Sequence, residues 1–480
     1  MIGNIVRHEW LLFLRDRLLL ITVPVYALLI AYAVYNGAAW QGFLQRSTTA
    51  ALAHVEQNLD GLQSMLDDIE HGKPFGAYED PRNPGYFARS LGFEMATKPP
   101  AATAALAVGQ SDLYPSYLKV QWRQVFSQTN LDETENPVNL AAGRFDLGYV
   151  LVYLLPLLII ALSYDILSAE REGGTQALLL SQPITLRQFV LGKILLRGIV
   201  IVSIATGLSL LGVLASNPGI IAAGEGWRLA MWAAIVIGYA TFWFGLAVLV
   251  NALAKKSSTN AIILMACWLV LVLIVPAALN MVAKALYPLP SRIELVQTMR
   301  RADAQAKQEQ PASTDASATE LAARLGEDVV VTSLNQYNKR VLPLEQRAEA
   351  IAAPIFERFE TRRSAQQAFA QRLRFLSPAI VVQTAIGEIA DTSTASYDRF
   401  SAAVRAYQQL WRAYFLPRVL NDRMLTRAEM VGIPRFKYVP ASGGEVFRRT
   451  LVDLLSLALL AVVVIIAGSL RLRRYPVAGS

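Results

Sequence analysis

The chain has 480 residues, 54% of them hydrophobic and only 17% charged, with a formal net charge of +8. Soluble proteins carry about 25% charged residues, so this balance excludes an ordinary soluble domain and predicts a helical membrane protein. One cysteine, Cys267, and three scattered histidines, His8, His54 and His71, exclude an intramolecular disulfide and give no metal-ligand spacing.

Residues 1–17 set Ile2, Ile5, Val6, Trp10, Phe13 and Leu14 against Arg7, His8, Glu9, Arg15 and Asp16. This pattern predicts an interfacial elbow helix, with Trp10 at headgroup depth and Arg15 and Arg17 at its end. An apolar run over 18–35 follows, with no clean small-residue cleavage site behind it, and reads as an uncleaved first span. A helical span needs roughly 20 apolar residues. Five further stretches qualify: 146–167, 190–215, 229–250, 259–286 and 450–470.

Two long segments separate these spans. In 36–145, Leu52, Val55, Leu59, Leu62, Leu66 and Ile69 recur at three-and-four spacing and predict an amphipathic helix with a single seam. A turn-rich stretch follows, with Lys73-Pro74, Asn83-Pro84-Gly85 and Pro99-Pro100. The second segment, 287–449, reads as mainly helical. Residues 308–319 are rich in Gln, Ala, Ser and Thr and predict a mobile tip. Tyr397, Phe400, Val404, Tyr407, Trp411 and Tyr414 form an aromatic stripe, expected to pack a core or else to line a substrate or partner surface. Pro354 predicts a kink or boundary in its helix.

The positive charge sits beside the spans rather than in a patch suited to nucleic acid: Arg7, Arg15 and Arg17, then Arg171, Arg187, Lys193 and Arg197, then Lys255 and Lys256, then Arg471, Arg473 and Arg474. With six spans, all of these fall on one side. The excess of lysine and arginine on inner loops then puts both termini, including the tail at 471–480, in the cytoplasm, and both long segments outside. The fold class expected is therefore an all-α membrane protein with six spans and a mainly helical extracytoplasmic domain built from two insertions.

Charged residues inside spans are costly and are functional candidates by default. Asp165 and Lys284 stand near span ends, where snorkelling to the interface is the plain reading. Asn280, Thr206 and Ser209 are candidates for bonds across helices, and Pro156 and Pro276 for kinks. No midplane carboxylate suggests a proton-driven carrier. There is no G-x-x-x-x-G-K-[ST] phosphate loop, no H-E-x-x-H and no G-x-S-x-G elbow.

The connector at 168–189 is unusually elaborate. It reads Glu170-Arg171-Glu172-Gly173-Gly174-Thr175, then Leu178-Leu179-Leu180-Ser181-Gln182-Pro183-Ile184, with Gly192-Lys193 opening the next span. This pattern resembles the membrane-subunit signature of ABC-2 type transporters, the exporter permeases driven by a separate ATPase. The elbow ending Leu14-Arg15-Asp16-Arg17 is similar to the family's own. The long insertions depart from a minimal permease and resemble a bacterial branch with a large outer domain of unknown function; Asp112-Leu113-Tyr114-Pro115 and Leu376-Ser377-Pro378-Ala379 carry that weaker likeness.

The resemblance implies a non-enzymatic inner-membrane subunit paired with cytoplasmic ABC ATPase subunits and a second permease copy or relative. ATP and Mg2+ would belong to the ATPase. It further implies membrane lipids, a periplasmic partner for the outer domain, and no nucleic acid. Glu170, Arg171, Glu172, Gly173, Thr175, Leu179 and Pro183 are then the expected coupling residues: charge for contacts, glycine for the turn, leucines for a groove on the ATPase, and proline to end the helix. The plain alternative is that Glu170 and Arg171 merely pair with each other. A mechanotransmitter that relays ATPase motion outward without passing cargo is the competing reading.

Overall fold

The computed structural model describes residues 17–76, 79–122, 144–175, 185–308, 323 and 336–475. Six helices are long and apolar enough to cross a membrane, so the chain is an all-α membrane protein in its spanning part. Span 1 belongs to the helix Arg17–Glu70, span 2 to Leu147–Glu172, and spans 3 to 6 to Leu186–Ser216, Gly226–Asn251, Ser257–Leu286 and Gly443–Leu472. The elbow residues Trp10 and Arg15 lie outside the described residues, and Arg17 opens the first helix.

Span 4 is the centre of the bundle. Trp232, Tyr239 and Trp243 are fully buried on it, packed among apolar residues of spans 2, 3, 5 and 6. Glycines let spans 4 and 6 approach closely: a Cβ on Gly468 would stand 3.3 Å from the backbone nitrogen of Leu249. Small residues at helix crossings serve this purpose in membranes, where no hydrophobic force drives helices together. Span 5 is the least covered, with Ile262 and Met281 among its most exposed side chains, and Leu28 of span 1 is exposed as well.

Both predicted prolines interrupt their helices in the same way. Pro156 and Pro276 each follow a π-helical turn, Val150–Leu154 and Leu269–Ile274. A proline offers no N–H to the carbonyl four residues back, and a wider turn accommodates the ring. Neighbouring helices supply the missing donors: the Tyr239 hydroxyl donates to Val152 O at 2.9 Å, and the Ser377 hydroxyl to Leu271 O at 2.5 Å. By contrast, the helix Gln336–Leu373 runs unbroken through Pro343 and Pro354, so the boundary expected at Pro354 does not occur. Thr206 and Ser209 bond carbonyls of their own helix, Val202 O and Ala205 O, rather than reaching across. Asn280 and Lys284 are exposed on span 5.

Span 1 continues without a break to Glu70, joining the predicted first span and the predicted amphipathic helix. Loss of apolarity after residue 35 ends the membrane-suited stretch but not the helix, because nothing between 36 and 51 breaks it. The expected seam holds at Val55, Leu62 and Leu66, which are buried, while Leu52 is exposed.

The two long segments share one core. Leu62, Leu66, Phe87, Ala96 and Trp122 from the first pack with Phe400, Val404, Tyr407, Trp411 and Phe415 from the second. The aromatic stripe is thus core packing, with Phe87 stacked on Phe415 and Trp411. The turn-rich stretch also yields a two-stranded antiparallel ribbon that the sequence reading missed, β1 (Glu94–Thr97) with β2 (Tyr117–Val120), Glu94 opposite Val120. Helices α1 (Arg292–Gln308) and α2 (Gln336–Leu373) pack through a small alanine-rich core with Leu295 and Phe356. The tip expected at 308–319 falls, from 309 onward, outside the described residues.

Helix α3 (Pro378–Ala390) joins this domain to the bundle, and α4 (Thr394–Leu420) carries the stripe. Ser377 caps α3, accepting from Ile380 N, while its hydroxyl holds span 5. At the other end, Arg228 of span 4 donates to Ile389 O at 2.8 Å, and buried Lys98 donates to Asp391 O at 2.9 Å. Cations at a helix C-terminus complement its dipole. Burial pushes the Lys98 amine below the ordinary lysine range, against the pull of Asp391 at 3.0 Å.

Candidate functional site: the connector between spans 2 and 3

Span 2 loses its regular turn at 164–167 and resumes as a short helix, Ser168–Glu172, that carries the charged cluster. Each charged residue reaches a different element. Glu170 pairs with Lys193 of span 3 at 2.9 Å, and the Thr175 hydroxyl donates to its other carboxylate oxygen. Arg171 donates to the carbonyls of Ala254 at 2.6 Å and Lys255 at 2.7 Å, in the turn between spans 4 and 5. Glu172 accepts from Ser257 N at 2.7 Å and from its hydroxyl at 2.9 Å, covering the amide that opens span 5. A carboxylate at a helix N-terminus meets both free N–H groups and the favourable end of the dipole.

Glu170 and Arg171 therefore do not simply pair with each other. The spacing of the motif has a geometric reason: Glu170 and Thr175 close one turn, and Lys193 clips that turn to the next span.

The glycines divide their work differently from the sequence reading. Gly174 adopts φ +72°, a left-handed conformation that glycine takes without steric cost. Gly173 keeps a helical φ of −79° and caps the helix through Ala169 O. A Cβ there would meet that carbonyl at 3.2 Å. The conformational requirement for glycine thus falls on Gly174.

Beneath the charged cluster lies a buried polar network that the motif did not reveal. Asn251, at the end of span 4, donates to Ser163 O at 3.0 Å and accepts from Leu167 N at 3.3 Å, satisfying the backbone where span 2 unwinds. Asn260 of span 5 donates to the Ser168 hydroxyl at 3.3 Å and to Asn251 Oδ1 at 3.4 Å. The Ser257 hydroxyl bonds Ser168 at 2.8 Å. In the sequence, the signal was two asparagines bracketing a Lys-Lys connector, each at the edge of an apolar run.

An apolar cluster of Ile166, Leu167, Phe189, Val190, Ala252, Leu472 and Tyr475 seals the same end and draws in span 6. Span 3 begins with Thr185 as cap, in a reciprocal pair with Gln188. Arg197 bonds Leu162 O and stands 3.8 Å from Asp165, which gives Asp165 a partner within the bundle. Leu179 and Pro183, with the rest of 176–184, lie outside the described residues.

A second charged junction, unnoticed in the sequence, sits at the domain end. Asp453 of span 6 is buried and pairs with Arg374 at 2.7 Å. It lies one helical turn after Arg449, which pairs with Glu445 and Glu388. The hydropathy of span 6 concealed this carboxylate.

The family model for ABC-2 family transporter proteins matches residues 3–475, nearly the whole chain. The chain belongs to the ABC-2 transporter family. It is accordingly a multi-pass membrane subunit of an ABC transporter, a kind of subunit that is normally not itself catalytic. No curated protein matches it closely enough to add a relative.

Proposed function

We propose that the chain is the permease subunit of an ATP-driven ABC-2 exporter of the bacterial inner membrane. In this reading the connector faces the cytoplasm and the domain faces the periplasm, as the cations flanking the spans favour. Cytoplasmic ATPase subunits, which bind ATP and Mg2+, grip the connector, and a second permease copy completes the transporter.

The observation that carries the reading is the division of partners within one motif. Glu170 holds span 3, Arg171 the turn between spans 4 and 5, and Glu172 the start of span 5. A displacement of the short helix Ser168–Glu172 is thereby passed to three spans at once. The centre of a single chain is filled by Trp232, Tyr239 and Trp243, so a cargo route fits better between copies, along the weakly covered face of span 5.

Docking and transmission separate experimentally. The full chain is co-purified with its ATPase, comparing Leu179→Asp with Glu170→Gln. Leu179→Asp is expected to abolish association; Glu170→Gln is expected to keep association and lose stimulated ATP hydrolysis. Normal association and stimulation in both variants would overturn the assignment.

A mechanotransmitter is the second reading, and the domain junction favours it. Span 1 runs unbroken into the domain, while α3 and its flanking residues are bonded to spans 4, 5 and 6. Movement of the spans would then move the domain whether or not cargo passes through them. Cargo uptake by inside-out vesicles distinguishes the two: a lever hydrolyses ATP without accumulating cargo.

A further inference from the structure

Spans 3, 4 and 6 enclose a groove of about 620 Å³ whose walls are almost wholly apolar, with Ile194, Val202, Ala240, Phe244 and Ile465 among them. Two glycines keep its floor low: a Cβ would stand 3.6 Å from Phe244 at Gly198 and 3.0 Å from Ile465 at Gly245. Leu191, Leu195, Ile199 and Ile237, also lining it, are exposed within their spans, so the groove opens to the hydrocarbon.

One end differs. Arg187 lines it, exposed, with its guanidinium 3.4 Å from Ser469 O. Leu472, on the opposite wall, is flanked by exposed Arg471 and Arg473. The lining stretches 185–200, 237–251 and 461–475 contain no aspartate or glutamate. Lys193 and Arg197 of span 3 are turned to Glu170 and Asp165, which leaves Arg187 at the mouth with the exposed arginines that follow span 6 beside it.

We propose that this groove is a binding site for an anionic phospholipid, one acyl chain lying between spans 3, 4 and 6 and the phosphate at Arg187, Arg471 and Arg473. Basic pockets between spans recognise anionic headgroups in this way. Charge decides against a second copy as occupant. A two-fold contact through this face presents the same patch from both subunits and sets the arginines against each other, whereas a phosphate neutralises them. Arg187 falls at the end of the connector, but none of the described coupling residues lines the groove, and lipid retention is read without ATP hydrolysis.

The test uses the purified full chain in mixed micelles holding equal amounts of phosphatidylglycerol and phosphatidylcholine, with retained lipid counted by native mass spectrometry. Wild type is expected to retain phosphatidylglycerol preferentially. Arg187→Gln is expected to lower that preference about fivefold, the fold-change for one juxtamembrane cation, and Arg187→Lys to restore it. Changing Arg187, Arg471 and Arg473 together to Gln removes the preference, and Gly198→Leu, which fills the floor, lowers retention of both lipids. Tryptophan fluorescence melting confirms that each variant is folded. Absence of headgroup preference in wild type, or a preference that survives the triple change, overturns the proposal. So does a Gly198→Leu chain that loses self-association while retaining lipid, since a second copy would then be the occupant.

Discussion

The two ends of the bundle solve the same problem by different means. At each, helices are broken or end against one another, and side chains from neighbouring elements satisfy the freed backbone groups. At the domain end the repair is buried: Ser377 holds Leu271 O, Arg228 and Thr103 hold Ile389 O, and Arg374 meets Asp453 inside the protein. At the connector end only the lower layer of Asn251, Asn260 and Ser168 is buried, while Glu172 and Thr175 work at the surface. Buried polar bonds are costly to break and exposed ones are readily exchanged with water. The domain end is accordingly the harder to separate and the connector end the easier to displace.

The comparison is most severely tested in the shared core of the domain. Trp411→Ala should destabilise the protein by about 3–5 kcal/mol, read as a fall in melting temperature in detergent, without altering association with the ATPase. At the junction, Asp453→Ala should cost about 1–3 kcal/mol, because it takes the carboxylate partner from the partly buried Arg374. An unchanged melting temperature would show that this end is not the rigid one. At the connector, Gly174→Val should cost roughly 1–2 kcal/mol because of its left-handed backbone, with Gly173→Ala costing less; the reverse order in thermal melts would contradict the division of labour between the glycines. Smallest of all, Glu170→Gln should lower stability by about 1 kcal/mol or less, since the Lys193 pair is only partly buried. Its effect on stimulated ATP hydrolysis should be far larger than on melting, and equal losses in both would reduce Glu170 to a structural role.

Some of the site was legible because local rules govern it. The double glycine and the Pro156 and Pro276 interruptions act within a few residues of themselves, so pattern alone exposes them; the charged cluster shows by its composition, while its partners lie far along the chain. Asp453 was not legible, because a single carboxylate in a long apolar run barely lowers hydropathy, and its partner lies 79 positions away in sequence. The ribbon of β1 and β2 escaped for a related reason: each strand has four residues and draws its burial from α4 and span 1 rather than from its own alternation.

By itself the sequence determined that there are six apolar helices long enough to span, that a charged connector follows the second, and that two long segments separate the first from the second and the fifth from the sixth. Apolar length and local turn chemistry suffice for these, since the bilayer offers no water to backbone groups and a long apolar helix satisfies nearly all of its own. Only the tertiary structure decided which partner each charge takes, that Gly174 carries the strained turn, and that the two distant segments close into one core joined to the bundle through α3. Those outcomes depend on which groups the packed spans leave without partners. Periodicity along one helix carries no record of what its neighbours lack.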